Sequence, residues 1–166
     1  MQDKNKIKGH GYRPFEEWKW RSYDGKKNLD LERFVTERSE DNFFFIGTDS
    51  QNYSKKRACV FTSVLIAYKM GKGGSVAIHR DSVPHMDALR QRLVMEAMRS
   101  LEVAWWLTKR IPASNIVGIH LDVNQSLKFK SGKYKDELVG LIVSQGFKAL
   151  VKPDAWAASC VADSKT

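Results

Sequence analysis

At 166 residues the chain has the length of one domain with a substantial hydrophobic core. Its 42% apolar and 28% charged residues are globular proportions, and no apolar run approaches the roughly 18 residues of a membrane span. The net charge of +9 is unevenly spread, with 10 Lys/Arg against 8 Asp/Glu in residues 1–40 and 18 against 11 in residues 41–166, so the globular part is the basic one and favours a polyanionic partner such as nucleic acid.

The N-terminus, "MQDKNKIKGHGY", is charged but has no apolar stretch behind it, so no secretory signal is expected and the default compartment is cytoplasmic. Residues 1–28 combine Gly, Pro and charges with Tyr12, Phe15, Trp18, Trp20 and Tyr23, too many aromatics for a disordered tail. They read as an irregular arm or short hairpin packed on the domain. The arm and a short helix at about 29–38 make residues 1–40 one unit, and residues 41–166 the main domain. A first strand covers Asn42 to Asp49, and "NYSKKR" is a turn. The β-branched run "ACVFTSVLIAYKM" is a second strand, "GKGG" a hairpin, and "SVAIHRDSV" a third strand ended by Pro84.

The longest helix follows from Met86 to Lys109, with Pro112 as its stop signal. On it Glu102 has Arg99 three residues away as an expected surface partner. A fourth strand, "NIVGIHLDV", leads through a lysine-rich linker to the helix "YKDELVGLIVSQ", closed by Gly146. "FKALV" is the fifth strand, and Pro153-Asp154 opens a last helix to about Ala162. Short turns imply an antiparallel meander of the first three strands, and helical crossovers imply parallel fourth and fifth strands. The result is a mixed five-stranded α/β sheet. Cys59 and Cys160 lack metal-site spacing and read as buried thiols.

Two apolar strands, "FFFIGTDS" and "NIVGIHLDV", both run into an aspartate, Asp49 and Asp122. As parallel neighbours they place two carboxylates at adjacent strand ends, where ligands of open α/β sheets bind. Their repulsion is relieved by a hard divalent cation, Mg²⁺ or Mn²⁺. On the long helix Glu96 lies at the edge of the apolar stripe, whereas Glu102 points elsewhere, so Glu96 is the third ligand candidate. Asp154 and Asp163 lie nine residues apart on one helix, on roughly opposite faces, and only one can complete the set. Asp154, directly after the fifth strand, is the choice and Asp163 the alternative. Taken singly, Asp49 and Asp122 also read as turn residues and Asp154 as a helix N-cap; the conjunction on two strands and two helices is what points to a site.

That pattern resembles the ribonuclease H-like superfamily of ribonucleases H, resolvases and integrases over about residues 42–164. The resemblance implies a strand–strand–strand–helix–strand–helix–strand–helix order, arranged 3-2-1-4-5 across the sheet. It also implies an acidic set of Asp49, Glu96, Asp122 and Asp154. "DAWAAS" is similar to the small-residue helix after the last acid in the resolvase branch. More narrowly, "GTDSQ", "HLDVN" and "KPDAWAASCVADSKT" look like the YkuK-type family of uncharacterised proteins in this superfamily.

The chemistry implied is phosphodiester hydrolysis of RNA, DNA or a hybrid with two Mg²⁺ or Mn²⁺ ions. Around the acids, Ser50, Gln51, His120 and Lys152 are candidate substrate contacts. In "SLKFKSGKYK", Lys128, Lys130 and Lys133 stand among Phe129 and Tyr134 with no acid, a composition suited to gripping a strand. The reading from a different class is a catalytically silent module of the same fold that binds nucleic acid or protein.

Overall fold

The computed structural model describes residues 13–123 and 125–152. Three long strands form the centre: β3 (Phe43–Tyr53), β4 (Ala58–Lys69) and β5 (Gly73–Pro84). They form the antiparallel meander expected from their short connections, with Ile46 opposite Leu65 and Leu65 opposite Ala77. The β4–β5 turn needs backbone angles that only glycine adopts cheaply, and Gly71 and Gly73 take φ of +74° and +86°. Two shorter strands, β6 (Ile116–Leu121) and β7 (Ala149–Val151), run parallel to β3 and to each other. Before the meander lie β1 (Trp20–Ser22), β2 (Asn28–Leu29) and the helix α1 (Leu31–Thr36), capped by the Asp30 side chain on Arg33 N. The helix α2 (Leu89–Thr108) precedes β6, and α3 (Lys135–Ser144) joins β6 to β7.

The sheet corrects the expected count. Among the described residues it has seven strands in the order β2-β1-β5-β4-β3-β6-β7, the arm and the residues just after it supplying two that extend the β5 edge. Trp20 pairs with His79 and Arg21 with Ile78. The physical reason lies in the stretch Trp18-Lys19-Trp20-Arg21, which alternates apolar and basic at the period of a strand. Trp18 and Trp20 turn inward and are almost fully buried, and Phe15 packs on both and on Trp106 of α2. Lys19 and Arg21 remain exposed.

One hydrophobic cluster joins Trp18 and Trp20, Phe34 of α1, Phe44 and Ile46 of β3, Leu101 and Leu107 of α2, and Leu138 and Ile142 of α3. The three described α-helices therefore pack on one face of the sheet, the face of Phe44, Ile46 and Thr48. Residues at odd positions of β3, from Phe45 to Asp49, point to the other face.

A second correction concerns α2. Arg99 is not a surface partner of Glu102. It is 2% exposed and forms a bidentate pair with Asp81 of β5, at 2.9 and 3.2 Å. Its guanidinium also stacks over Phe61, 4.5 Å from the ring centroid. The fold thus buries a charge with a partner from another element rather than leaving it on a helix surface. The predicted last helix, with Cys160, lies outside the described residues; Cys59 is a buried free thiol. No described helix is long and apolar enough to cross a membrane.

Candidate functional site

Strand β3 does not stop at Asp49, as expected, but continues to Tyr53. On the β4 side its pairing is unbroken, through Asp49 opposite Thr62 to Tyr53 opposite Ala58. On the other side the parallel ladder ends at Gly47 opposite His120. Asp49 therefore sits where β3 keeps one neighbour and has passed the last ladder pair of the other. Asp122 follows immediately after β6, two residues beyond His120. The register puts Asp49 and Asp122 at equivalent positions past the last pair, on adjacent strands.

Glu96 reaches the same region from α2. Its carboxylate accepts a hydrogen bond of 2.5 Å from Ser50 Oγ. One helical turn on, Ser100 Oγ donates to Thr48 Oγ1 at 3.0 Å, and Thr48 shares a further 3.0 Å bond with Ser63 of β4. The matching is geometric. Four residues of α2 rise about 6 Å and two residues of β3 about 6.6 Å, so a helix running against the strand aligns 96 with 50 and 100 with 48. A polar seam thus crosses the otherwise apolar helix–sheet interface and leads to the acids. Arg92, one turn before Glu96, donates to both Ser50 O and Ser50 Oγ at 3.4 Å.

Burial pushes the Glu96 carboxyl up to about 8, and the negative charges of Asp49 and Asp122 push in the same direction, against the Ser50 bond and Arg92. Three acids from β3, α2 and the end of β6 therefore share one electrostatic neighbourhood. They are not drawn into a closed cage: among the described residues no group of three His, Cys, Asp or Glu side chains is placed to hold a metal ion. The Asp49 carboxylate accepts from Ser50 N at 2.8 Å. Asp122 pairs with the Lys152 ammonium just beyond β7, which lies against Oδ1 without hydrogen-bond alignment. Burial, with a smaller contribution from repulsion by Asp49 and Asp122, is what keeps Glu96 protonated; carboxylate oxygens are the donor type that hard divalent cations take.

The remaining candidates divide. Ser50 faces α2 and positions Glu96, a role visible only once α2 is aligned on β3. Gln51 is exposed and accepts from Tyr53 Oη. His120 is 2% exposed with its ring against the edge of Phe45, and burial lowers its pKa to about 4. Lys128, Lys130 and Lys133 are exposed on the segment between β6 and α3, where Phe129 also projects into solvent. Asp154 and Asp163 lie outside the described residues. Sequence reasoning missed Arg92; its signal was the spacing of four residues before Glu96.

No curated protein and no solved structure matches the chain. A family profile described as ribonuclease H-like matches residues 28–166, a span that begins with β2 and contains the meander, α2 and all three described acids. The chain belongs to the ribonuclease H-like family.

Proposed function

We propose that the protein is a divalent-metal-dependent nuclease that hydrolyses phosphodiester bonds of RNA, DNA or an RNA/DNA hybrid. The observation that carries this reading is geometric: the β3–β6 register sets Asp49 and Asp122 at equivalent positions on adjacent strands, and the buried Glu96 bonds Ser50 beside them, in a chain of the ribonuclease H-like family. Asp49, Glu96, Asp122 and Asp154 would hold two Mg²⁺ or Mn²⁺ ions, with Asp163 as the alternative fourth acid. Bound ions of this kind supply an activated water and charge stabilisation at the leaving oxygen.

The chain's own side chains do the rest. Asp49 stands on the central strand, whose backbone is fixed by β4, so its carboxylate is held rigidly. Ser50 and Arg92 favour the ionised form of Glu96, preparing it to act as a ligand. Lys152 neutralises Asp122 in the absence of other cations and is long enough to turn to a substrate phosphate instead. His120, buried and neutral at pH 7, orients by packing and is not a proton donor there. The lysines of residues 128–133, with Phe129, offer charge and a stacking surface for the strand.

The test is cleavage of fluorescent RNA, DNA and hybrid substrates in Mn²⁺. Wild type is expected to cut at least one of them, and Asp49→Asn or Asp122→Asn to lose at least a hundredfold in rate, as loss of a metal ligand implies. Comparing Asp154→Asn with Asp163→Asn assigns the fourth acid. The second reading, a silent nucleic-acid- or protein-binding module, is favoured by the Lys152–Asp122 pair. Binding of nucleic acid by wild type and Asp49→Asn alike, with no cleavage by either, would establish it.

A further inference from the structure

The arm and β5 enclose a cavity of about 390 Å³ lined by Arg13, Lys19, Arg21, Gly25, Ile78, His79 and Arg80. Four of these described lining residues are permanent cations and none is a carboxylate. Among the described residues, none of the four forms an ion pair. Arg21 is pinned by a bond of 3.2 Å from Nη1 to Gly25 O, in the turn between β1 and β2. His79 ties the opposite wall down: its Nδ1 lies 3.0 Å from Lys19 O and its ring stacks on Trp18 at 4.4 Å. Converging cations on a backbone so firmly held repel one another, and that repulsion is relieved by an anion.

The sheet register says which anion. Arg21 pairs with Ile78 and Ile78 with Val64, so these side chains share a face. Arg80 pairs with Thr62, and Thr62 pairs with Asp49. Arg80 and Asp49 therefore lie in one row on the same face, two strands apart, and Lys19, the residue just before β1, stands one register step beyond the Trp20–His79 pair and extends the row by one more strand. At about 4.8 Å per strand, the cations stand roughly 10–14 Å from Asp49. One nucleic-acid strand carries a phosphate about every 3.4 Å of helix axis, so that distance spans about three to four phosphates.

Building on the nuclease reading, we propose that this cavity seats backbone phosphates of the same strand whose scissile phosphate lies over Asp49 and Asp122. The arm is then part of the substrate track, and the position of the cut is set by the distance between pocket and acids. Contacts of this kind fix register without reading sequence.

The experiment measures binding of a labelled duplex oligonucleotide by fluorescence anisotropy in EDTA, across a salt series, for wild type and Arg21→Ala/Arg80→Ala. The double variant is expected to bind about tenfold more weakly, with a salt dependence shallower by one to two ions. Replacing single phosphates by neutral methylphosphonates should weaken wild type at one or two adjacent positions and leave the double variant unaffected there. Wild-type affinity and salt slope in a double variant of unchanged melting temperature would overturn the proposal. If that variant does not fold, Lys19→Gln and Arg80→Gln singly, both at exposed positions, decide by the same readouts. The two readings fail separately. Cleavage retained by Asp49→Asn sinks the nuclease reading while the binding loss still upholds the pocket. Cleavage lost in Asp49→Asn with unchanged binding in the double variant sinks the pocket alone.

Discussion

Glu96 is the residue at which fold and function pull against each other. Its position on α2 is legible as the edge of an apolar stripe, and Asp49 and Asp122 are legible as acids at the ends of apolar strands. Their alignment on one another is not, because it depends on how α2 lies across β3. The carboxyl, raised from 4.5 to about 8, binds a proton in the folded chain that the unfolded chain has already released above about pH 4.5. The folded state thus holds more protons between these values, and stability falls as pH rises through that window. Without divalent metal, the melting temperature of wild type is expected to decline from pH 5 to 8, and Glu96→Gln to flatten that decline. A wild-type profile already flat would show that Glu96 is ionised in the fold. Added Mn²⁺ binds the ionised form, so its stabilisation of wild type should grow with pH over the same range and be largely lost in Asp49→Asn.

Between elements, the ties that matter join parts distant in sequence, which is why they escaped the sequence. Arg99 and Asp81 are eighteen residues apart on α2 and β5, and periodicity along a single helix offered only Glu102 as a neighbour. Both side chains of the pair are buried, at 2% and 7% exposure, so removing one charge strands the other. Asp81→Asn is expected to cost about 3–5 kcal/mol in urea unfolding, and the apolar pair Asp81→Leu/Arg99→Met to recover most of it. At the other end of the sheet, β6 and β7 approach closely at Gly118, where a Cβ would lie 2.9 Å from Lys148 O. That contact is with backbone, which yields little. Gly118→Ala should cost about 1–3 kcal/mol and speed hydrogen exchange in β7 before the meander is affected. The long strands and α2 were legible because their patterns run for many turns or alternations. β7, though only three residues long, falls inside the expected strand "FKALV", whereas β1, also with three, is shorter than any period can certify.

For the whole molecule the arm decides what kind of object this is. The family match begins at residue 28, with β2, yet β1 and three aromatics before that point are continuous with the sheet and core. The alternation of Trp18, Lys19, Trp20 and Arg21 has the period of a strand but is too short to read as more than an arm or short hairpin, and which edge it joins carries no sequence mark. Trp18 and Trp20 are each about 95% buried, and truncating such a residue to alanine costs about 3–5 kcal/mol. A domain of this size has a net stability of roughly 5–15 kcal/mol, so losing both, with Phe15, removes a large share of it. Deleting residues 1–29 also strips β5 of its outer partner and leaves an unpaired edge, uncovering Trp106 and His79, against which the arm packs. The truncated chain is therefore expected to melt far below wild type, or to self-associate beyond wild type on size-exclusion chromatography, while Trp18→Ala elutes as wild type does, with an intermediate melting temperature. A truncated monomer with wild-type melting would mean that the arm is an ornament of the sheet, and the core cluster beneath it would have to be held by α1 and α2 alone.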